Sequence, residues 1–204
     1  LHVSQHSFPT RRSSDLTGPI TAACTVSASF TVNSYTLTLT KAGTGSGTVT
    51  SNPAGINCGS DCSESYNHGT AVALTASPAA GSTFAGWSGA CTGTGACAVS
   101  MTAAKSVTAT FVPLFALTVA KNGSGTVTSN PAGINCGTDC SEAYGAGANV
   151  NLTATPASGW QFAGWSGACT GTGACTIAID AARSVTASFT LNSHTVTATA
   201  GAGG

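Results

Sequence analysis

Apolar residues alternate with threonine and serine over most of this chain. Residues 35–40 (YTLTLT) and 107–111 (VTATF) have this period of two, which is the pattern of a β-strand with one buried face. Glycine runs such as residues 43–47 separate the alternating segments. Residues 52–55 (NPAG) end a strand because proline lacks an N–H for the ladder and glycine permits a positive φ. No segment has the pattern of a helix, so the sequence predicts an all-β or β-rich fold.

The same pattern occurs twice in succession. Residues 48–111 return with few changes as residues 126–189, a shift of about 78 residues. Self-similarity at a fixed period is the sequence signature of a tandem array. A duplicated unit favours a structural or binding repeat over an enzyme with one unique active site.

Partial copies of the repeat are expected on either side of the two full ones. Residues 20–30 (ITAACTVSASF) align with residues 101–111 (MTAAKSVTATF). His6 to Leu16 resembles a translated sequencing adapter, so this segment is excluded from the fold. The expected divisions are a disordered artefact at 1–16, the tail of a preceding repeat at 17–33, full repeats at 34–112 and 113–191, and the start of a further repeat at 192–204.

Substitutions between the two copies indicate which side of a strand faces water. Ala71 and Ala73 of the first copy align with Asn149 and Asn151 of the second, so these positions are expected to be exposed, with Val72 and its neighbours at alternate positions pointing inward. The strands expected in the first full repeat are residues 35–40, 48–50, 72–76, 98–101 and 107–111.

Two further segments of the repeat do not alternate strictly. Phe84 and Trp87 are three residues apart, too far for one face of a regular strand, so Gly86 is expected to mark a β-bulge. Residues 58–66 (CGSDCSESY) are expected to form a disulfide-pinned loop with the ring of Tyr66 beneath it.

Each full repeat carries four cysteines, which allow three pairings. Local pairing, between cysteines four and six residues apart, would close loops rich in Gly and Asp that can bend. A zinc site is the competing interpretation, but the spacing of six fits structural zinc poorly. Local disulfides are therefore predicted, and with them an oxidising compartment. The cysteines are Cys58, Cys62, Cys91 and Cys97 in the first repeat and Cys136, Cys140, Cys169 and Cys175 in the second.

The ninth cysteine lies outside this scheme. Cys24 aligns with Lys105 and Arg183, positions that are expected to face water, so it is interpreted as an exposed single substitution. A reactive thiol needs a neighbouring base or cation, and the sequence around Cys24 supplies none.

Charge is scarce and evenly balanced. The chain has six basic and six acidic residues among 204, without a cluster of Lys and Arg that would neutralise phosphates. This composition argues against a nucleic-acid partner. No run of 18 apolar residues occurs, so no membrane-spanning segment is predicted.

Candidate catalytic and metal-binding groups are few. Of the histidines after the adapter-like segment, His68 aligns with an alanine and His194 with aromatic residues, so neither belongs to a repeated constellation. Asp61 and Glu64 recur as Asp139 and Glu142, and paired carboxylates of this kind could hold Ca²⁺. Two carboxylates per loop are few for that ion, and capping of the turn by Asp61 is favoured. No enzyme activity and no cofactor are predicted.

The tryptophans allow two interpretations. Trp87 and Trp165 recur in the FAGWSG segment and could stack on sugar rings, but a large ring in a small unit more often anchors the core. Trp160 aligns with Ser82, which makes it the expected exposed aromatic.

In combination, the NPAGINC, FAGWSGAC and AAKSVTATF segments resemble the divergent branch of the internalin-type B repeat (Listeria–Bacteroides repeat) family, over residues 17–204. The resemblance implies small β-grasp-like modules strung along bacterial surface and secreted proteins, without catalytic residues. Members of the family commonly lack these cysteines, so the disulfides are a departure from its general pattern.

Two functions therefore stay open. The first is a non-enzymatic extracellular or cell-surface repeat, acting as a spacer, stalk or adhesion module with a cell-surface glycan or protein as partner. The second is a carbohydrate-binding module appended to a secreted enzyme, in which the tryptophans face the ligand.

Overall fold

The computed structural model describes residues 29–198, and secondary structure in this range consists of β-strands connected by turns. The adapter-like segment and Cys24 lie outside the described residues. The strands are β1 (Ser34–Ala42), β2 (Gly47–Asn52), β3 (Ser63–Asn67), β4 (Ala71–Pro78), β5 (Ser82–Gly89), β6 (Cys97–Ser100), β7 (Lys105–Asn122), β8 (Gly125–Asn130), β9 (Asn135–Cys136), β10 (Ser141–Gly145), β11 (Asn149–Pro156), β12 (Trp160–Gly167), β13 (Cys175–Ala178) and β14 (Arg183–Leu191). The predicted β-rich fold is confirmed.

The second repeat contains a larger sheet with the strand order β12-β14-β7-β10. β10 pairs antiparallel with β7, and β12 pairs antiparallel with β14. β14 and β7 run parallel, with Arg183 opposite Leu117 and Ser188 opposite Asn122. The first and last strands of the repeat are therefore neighbours at the centre of this sheet.

A smaller sheet of the same repeat has the order β13-β11-β8-β9. All three of its pairings are antiparallel. Asn149 and Asn151 lie on its exposed side, whereas Val150 and Leu152 are buried, as the comparison of the two copies predicted. The outer face of this sheet is therefore polar and its inner face apolar.

One hydrophobic core lies between these two sheets. The larger sheet contributes Leu117, Val185 and Phe189, and the smaller sheet contributes residues such as Val127 and Val150, all at most 4% exposed. Burial from both sides makes the repeat a two-layer unit.

The first repeat has strands that correspond to those of the second, except that the residues equivalent to β9 form isolated bridges. β1 pairs antiparallel with β3, and β4 pairs antiparallel with β6. Its inward-facing side chains include Leu37, Val49 and Val72, which are fully buried. The chain divides into two compact units, and one of them contains the whole of the second repeat.

Three details refine the expectations from sequence. The register of β12 against β14 shifts between Phe162 and Gly164, so the second repeat has a bulge at the position equivalent to Gly86, where one was expected. The predicted loop at 58–66 is wrong in its second half, because residues from Ser63 onwards form β3 and pair with β1. β7 continues through Pro113, so a single strand of 18 residues crosses the boundary between the two sequence repeats.

Candidate functional site

The eight cysteines of the two repeats form four local disulfides, as predicted. The partners are four or six residues apart, and their Cα atoms lie 4.2–5.6 Å from each other. The pairs are Cys58–Cys62, Cys91–Cys97, Cys136–Cys140 and Cys169–Cys175. Because the thiols are consumed in pairs, none of these cysteines is available as a zinc ligand or nucleophile while oxidised.

In the second repeat each disulfide connects one edge of the larger sheet to one edge of the smaller sheet. Cys136 belongs to edge strand β9, and Cys140 directly precedes edge strand β10. On the opposite side, Cys169 follows edge strand β12 and Cys175 begins edge strand β13. The two layers are therefore cross-linked at both lateral edges, where a sheet is most easily opened or extended by another chain.

The tryptophan of the FAGWSG segment holds the second disulfide loop. Trp165 is 6% exposed, and its indole N–H donates to the carbonyl oxygen of Gly173 at 3.1 Å. Its backbone N–H donates to the carbonyl oxygen of Gly171 at 2.7 Å. Trp87 makes the same two bonds, to Gly95 and Gly93 of the first repeat. Both rings are core side chains, and the indole N–H of each donates a hydrogen bond within its own repeat.

A chain of hydroxyl groups holds the loop before the first disulfide. In the second repeat the backbone N–H of Ile134 donates to Ser129 Oγ at 2.9 Å, and Ser129 Oγ lies 2.8 Å from Tyr144 Oη. Tyr144 Oη donates in turn to the carbonyl oxygen of Pro131 at 3.3 Å. Since each hydroxyl has one proton, Ser129 must donate to Tyr144.

The first repeat has the same chain of hydroxyl groups. It is formed by Ile56, Ser51, Tyr66 and Pro53 at distances of 2.9, 2.7 and 3.3 Å. Tyr66 therefore anchors the proline loop with its hydroxyl. The expected position of its ring beneath the disulfide loop stays a prediction.

Trp160 is half-buried and packs against the core of its own repeat. Its ring covers the turn at Gly123, where an added Cβ would lie 2.7 Å from the ring and 2.3 Å from the carbonyl oxygen of Phe189. In the first repeat the turn is two residues longer, and Ser82, at the equivalent position, accepts a hydrogen bond from the backbone N–H of Ser46 at 3.0 Å. Trp160 and the shorter turn thus form an alternative local packing arrangement.

The recurring carboxylates bond to the backbone. Asp61 Oδ1 accepts from the N–H of Ser63 at 3.3 Å, and Asp139 makes the equivalent bond at 3.2 Å. Glu64 and Glu142 accept from the N–H of the residue that follows each of them. These contacts support the turn-capping interpretation. Among residues 29–198, no group of three or more His, Cys, Asp or Glu side chains is arranged to hold a metal ion.

The remaining titratable candidates lie apart from these features. The ring of exposed His68 packs against that of Tyr35, with centroids 5.9 Å apart. His68 also lines a pocket together with Phe30 and Val32. His194 is exposed beyond the last strand. Within the described part of the chain, no helix has the length and apolar character needed to cross a membrane.

The chain matches a known family of repeat domains. The sequence matches the family described as the divergent InlB B-repeat domain twice, at residues 35–114 and 115–193. This is a family of repeat domains rather than of enzymes. No protein with a curated description matches the chain.

Two pilins are among the solved structures that match the chain, both at low identity and low TM-score. The major pilin protein of Streptococcus pyogenes is 10% identical, with a TM-score of 0.30, and the alignment covers 79% of this chain and 98% of the pilin. The shaft pilin SpaA of Lactobacillus rhamnosus GG is 7% identical, with a TM-score of 0.28, and the alignment covers 82% of this chain and all of the pilin.

Proposed function

The chain belongs to the divergent InlB B-repeat domain family, and from this premise we propose that its repeats are non-enzymatic spacer modules of an extracellular or cell-surface protein. The observation that carries the proposal is the cross-linking of both edges of a repeat by its own disulfides. Because these bonds join the two layers of one repeat, each module keeps its own layers together when it is concatenated with others.

The features that recur in both copies support this role. They are the four cysteines, the Trp indole bond to the disulfide loop and the Ser–Tyr–Pro hydroxyl chain, and all of them stabilise the fold. The copies differ on exposed faces, for example at Asn149 and Asn151. Copy number and stability are therefore the properties that the array maintains, and one particular surface is not.

Oxidised cysteines support an extracellular location because disulfides persist in oxidising compartments. We expect all eight repeat cysteines to resist alkylation in protein purified without reductant, and to react after unfolding and reduction. Intact mass spectrometry of the alkylated protein counts them directly. Free thiols at all eight positions would contradict the assignment.

The spacer role predicts that reach grows with the number of repeats. The test places the chain between a bacterial surface anchor and a terminal epitope, beside a version that lacks residues 113–191. Binding of an antibody to the epitope on encapsulated cells should fall when a repeat is removed. The same shortening should have little effect on cells without a capsule.

The chain offers a matched control for this experiment. Asn149→Ala, Asn151→Ala and Trp160→Ser give the second repeat residues aligned with alanine or serine in the first, without changing its length. Epitope access should survive these substitutions. If access depended on them and not on copy number, the repeats would be acting through a specific surface.

The carbohydrate-binding alternative requires an aromatic platform. Trp87 and Trp165 are buried at 6% exposure, so half-buried Trp160 is the tryptophan that could still present part of a ring. A glycan array probed with the chain and with its Trp160→Ser variant separates the two functions. Glycan binding that the variant loses would support the alternative.

A further inference from the structure

The second repeat begins and ends on adjacent parallel strands. β7 and β14 pair over six residues each, from Leu117 opposite Arg183 to Asn122 opposite Ser188. The chain enters this pair at the Leu117 end, from Pro113, and leaves it at the Ser188 end, towards Leu191. Because the strands are parallel, the entry and the exit lie at opposite ends of the ladder.

This geometry determines how the ladder would respond to tension. A pull on the two ends of the repeat draws β7 and β14 past each other along their common axis. The evenly spaced bonds of a parallel ladder then bear the load together, in shear. A pull from one end of the ladder would instead break the bonds in sequence. Forced unfolding is governed by the rate of crossing the unfolding barrier, so shared loading raises the force that the repeat withstands.

We propose that the β7–β14 ladder is a mechanical clamp, through which the second repeat carries tension between the parts of the protein on either side of it. The inference rests on the proposed spacer function, because a spacer under load is a tether. In the first repeat, β1 and β7 are likewise neighbours in the sheet.

Both loaded ends have additional backbone bonds. At the entry, the carbonyl oxygen of Pro113 accepts from the N–H of Ala146 at 2.8 Å. At the exit, the N–H of Asn192 donates to the carbonyl oxygen of Gly159 at 2.9 Å. These bonds tie Pro113 and Asn192, which flank the ladder on either side, to residues adjacent to β10 and β12. The load therefore reaches the ladder through anchored segments.

The disulfides leave this force path free. Both pairs of the second repeat lie within the segment from β9 to β13, outside the β7–β14 ladder. When the repeat unfolds under force, the disulfides prevent extension only of the residues between cysteines that are four and six residues apart. Reduction should therefore lengthen each unfolded repeat by roughly 25 Å, given about 3.5 Å per extended residue and the Cα distances across the bonds.

The experiment compares two pulling directions on the full chain in an optical trap. In the first, handles are attached at the two chain termini. In the second, one handle is attached at the C terminus and the other at exposed Ser124, in the turn after β7, through a non-natural amino acid that spares the cysteines. The second geometry pulls the ladder open from its Ser188 end. Equal thermal unfolding of the two handle-bearing proteins controls for effects of attachment.

At the same loading rate we expect end-to-end unfolding at about twofold higher force or more than in the Ser124 geometry. Equal or lower force end to end would overturn the clamp. That result would not affect the dependence of epitope access on copy number, so the proposed spacer function would remain valid without the clamp. Conversely, epitope access that does not depend on copy number would contradict the proposed spacer function, even if the ladder resisted force.

Discussion

Two single substitutions in the hydroxyl chain of the second repeat are expected to lower the free energy of unfolding by different amounts. Ser129→Ala removes the acceptor of the Ile134 N–H, which belongs to a residue that is 3% exposed. A buried donor left without a partner costs about 1–3 kcal/mol, so we expect a loss of about 2 kcal/mol. Tyr144→Phe should cost about 1 kcal/mol, because Pro131 is exposed and water can reach its carbonyl oxygen.

The double variant should cost less than the sum of the single variants. The bond between Ser129 and Tyr144 is lost in each single variant but only once in the double variant. Residues that share a hydrogen bond show such coupling, and a shortfall of about 1 kcal/mol is expected here. Urea denaturation with the disulfides intact supplies the free energies of unfolding.

Amide hydrogen exchange locates the effect. In Ser129→Ala the Ile134 amide should exchange roughly thirtyfold faster, the equivalent of about 2 kcal/mol. The Ile56 amide belongs to the identical chain of the first repeat and should be unchanged in the same sample. Ser51→Ala should reverse the two results. An Ile134 amide that stays as slow as in the unmodified protein, or penalties that simply add, would refute the reasoning.

Three other predictions concern the second repeat. Gly123→Ala should cost about 2 kcal/mol or more in thermal unfolding, because φ is 85° and the added Cβ would lie 2.3 Å from a carbonyl oxygen. Gly173→Ala has open space and should stay within about 0.5 kcal/mol, and an equal loss at both glycines would contradict the steric argument. Replacing Cys169 and Cys175 together by alanine should lower the free energy of unfolding by about 2 kcal/mol in denaturant titrations, from the loop length alone. Trp165→Phe gives up the indole bond to Gly173 and should increase proteolytic cleavage within the disulfide loop, whereas unchanged cleavage would mean that the bond does not hold the loop.

Sequence reasoning was most successful where side chains alternate. Val150 and Leu152 are buried and Asn149 and Asn151 are exposed, because successive side chains of a strand point to opposite faces and one face of this strand is exposed to solvent. The pairing of the cysteines also followed from their spacing, since loops of four and six residues can close locally.

Other features depend on partners that are distant in the sequence. β10 (Ser141–Gly145) buries only Tyr144, so its pattern is not that of a half-buried strand, and its pairing with β7 makes it one. Proline is uncommon inside strands, and nothing around Pro113 indicates that β7 continues through it. The place of Trp160 follows from a turn that is two residues shorter, whose consequence appears only when the ring and Gly123 are seen together.

The local pairing of the cysteines has a consequence for oxidative folding. In a chain that crosses a membrane with its N terminus first, each cysteine pair from Cys58 onwards is completed four or six residues after its first member. The next pair emerges only after tens of residues more, for example between Cys62 and Cys91. Cys24 lies much farther from Cys58 than Cys62 does. An oxidant that joins two thiols only when they are a few residues apart would thus form every native bond of both repeats, and no isomerase would be needed to correct the pairing.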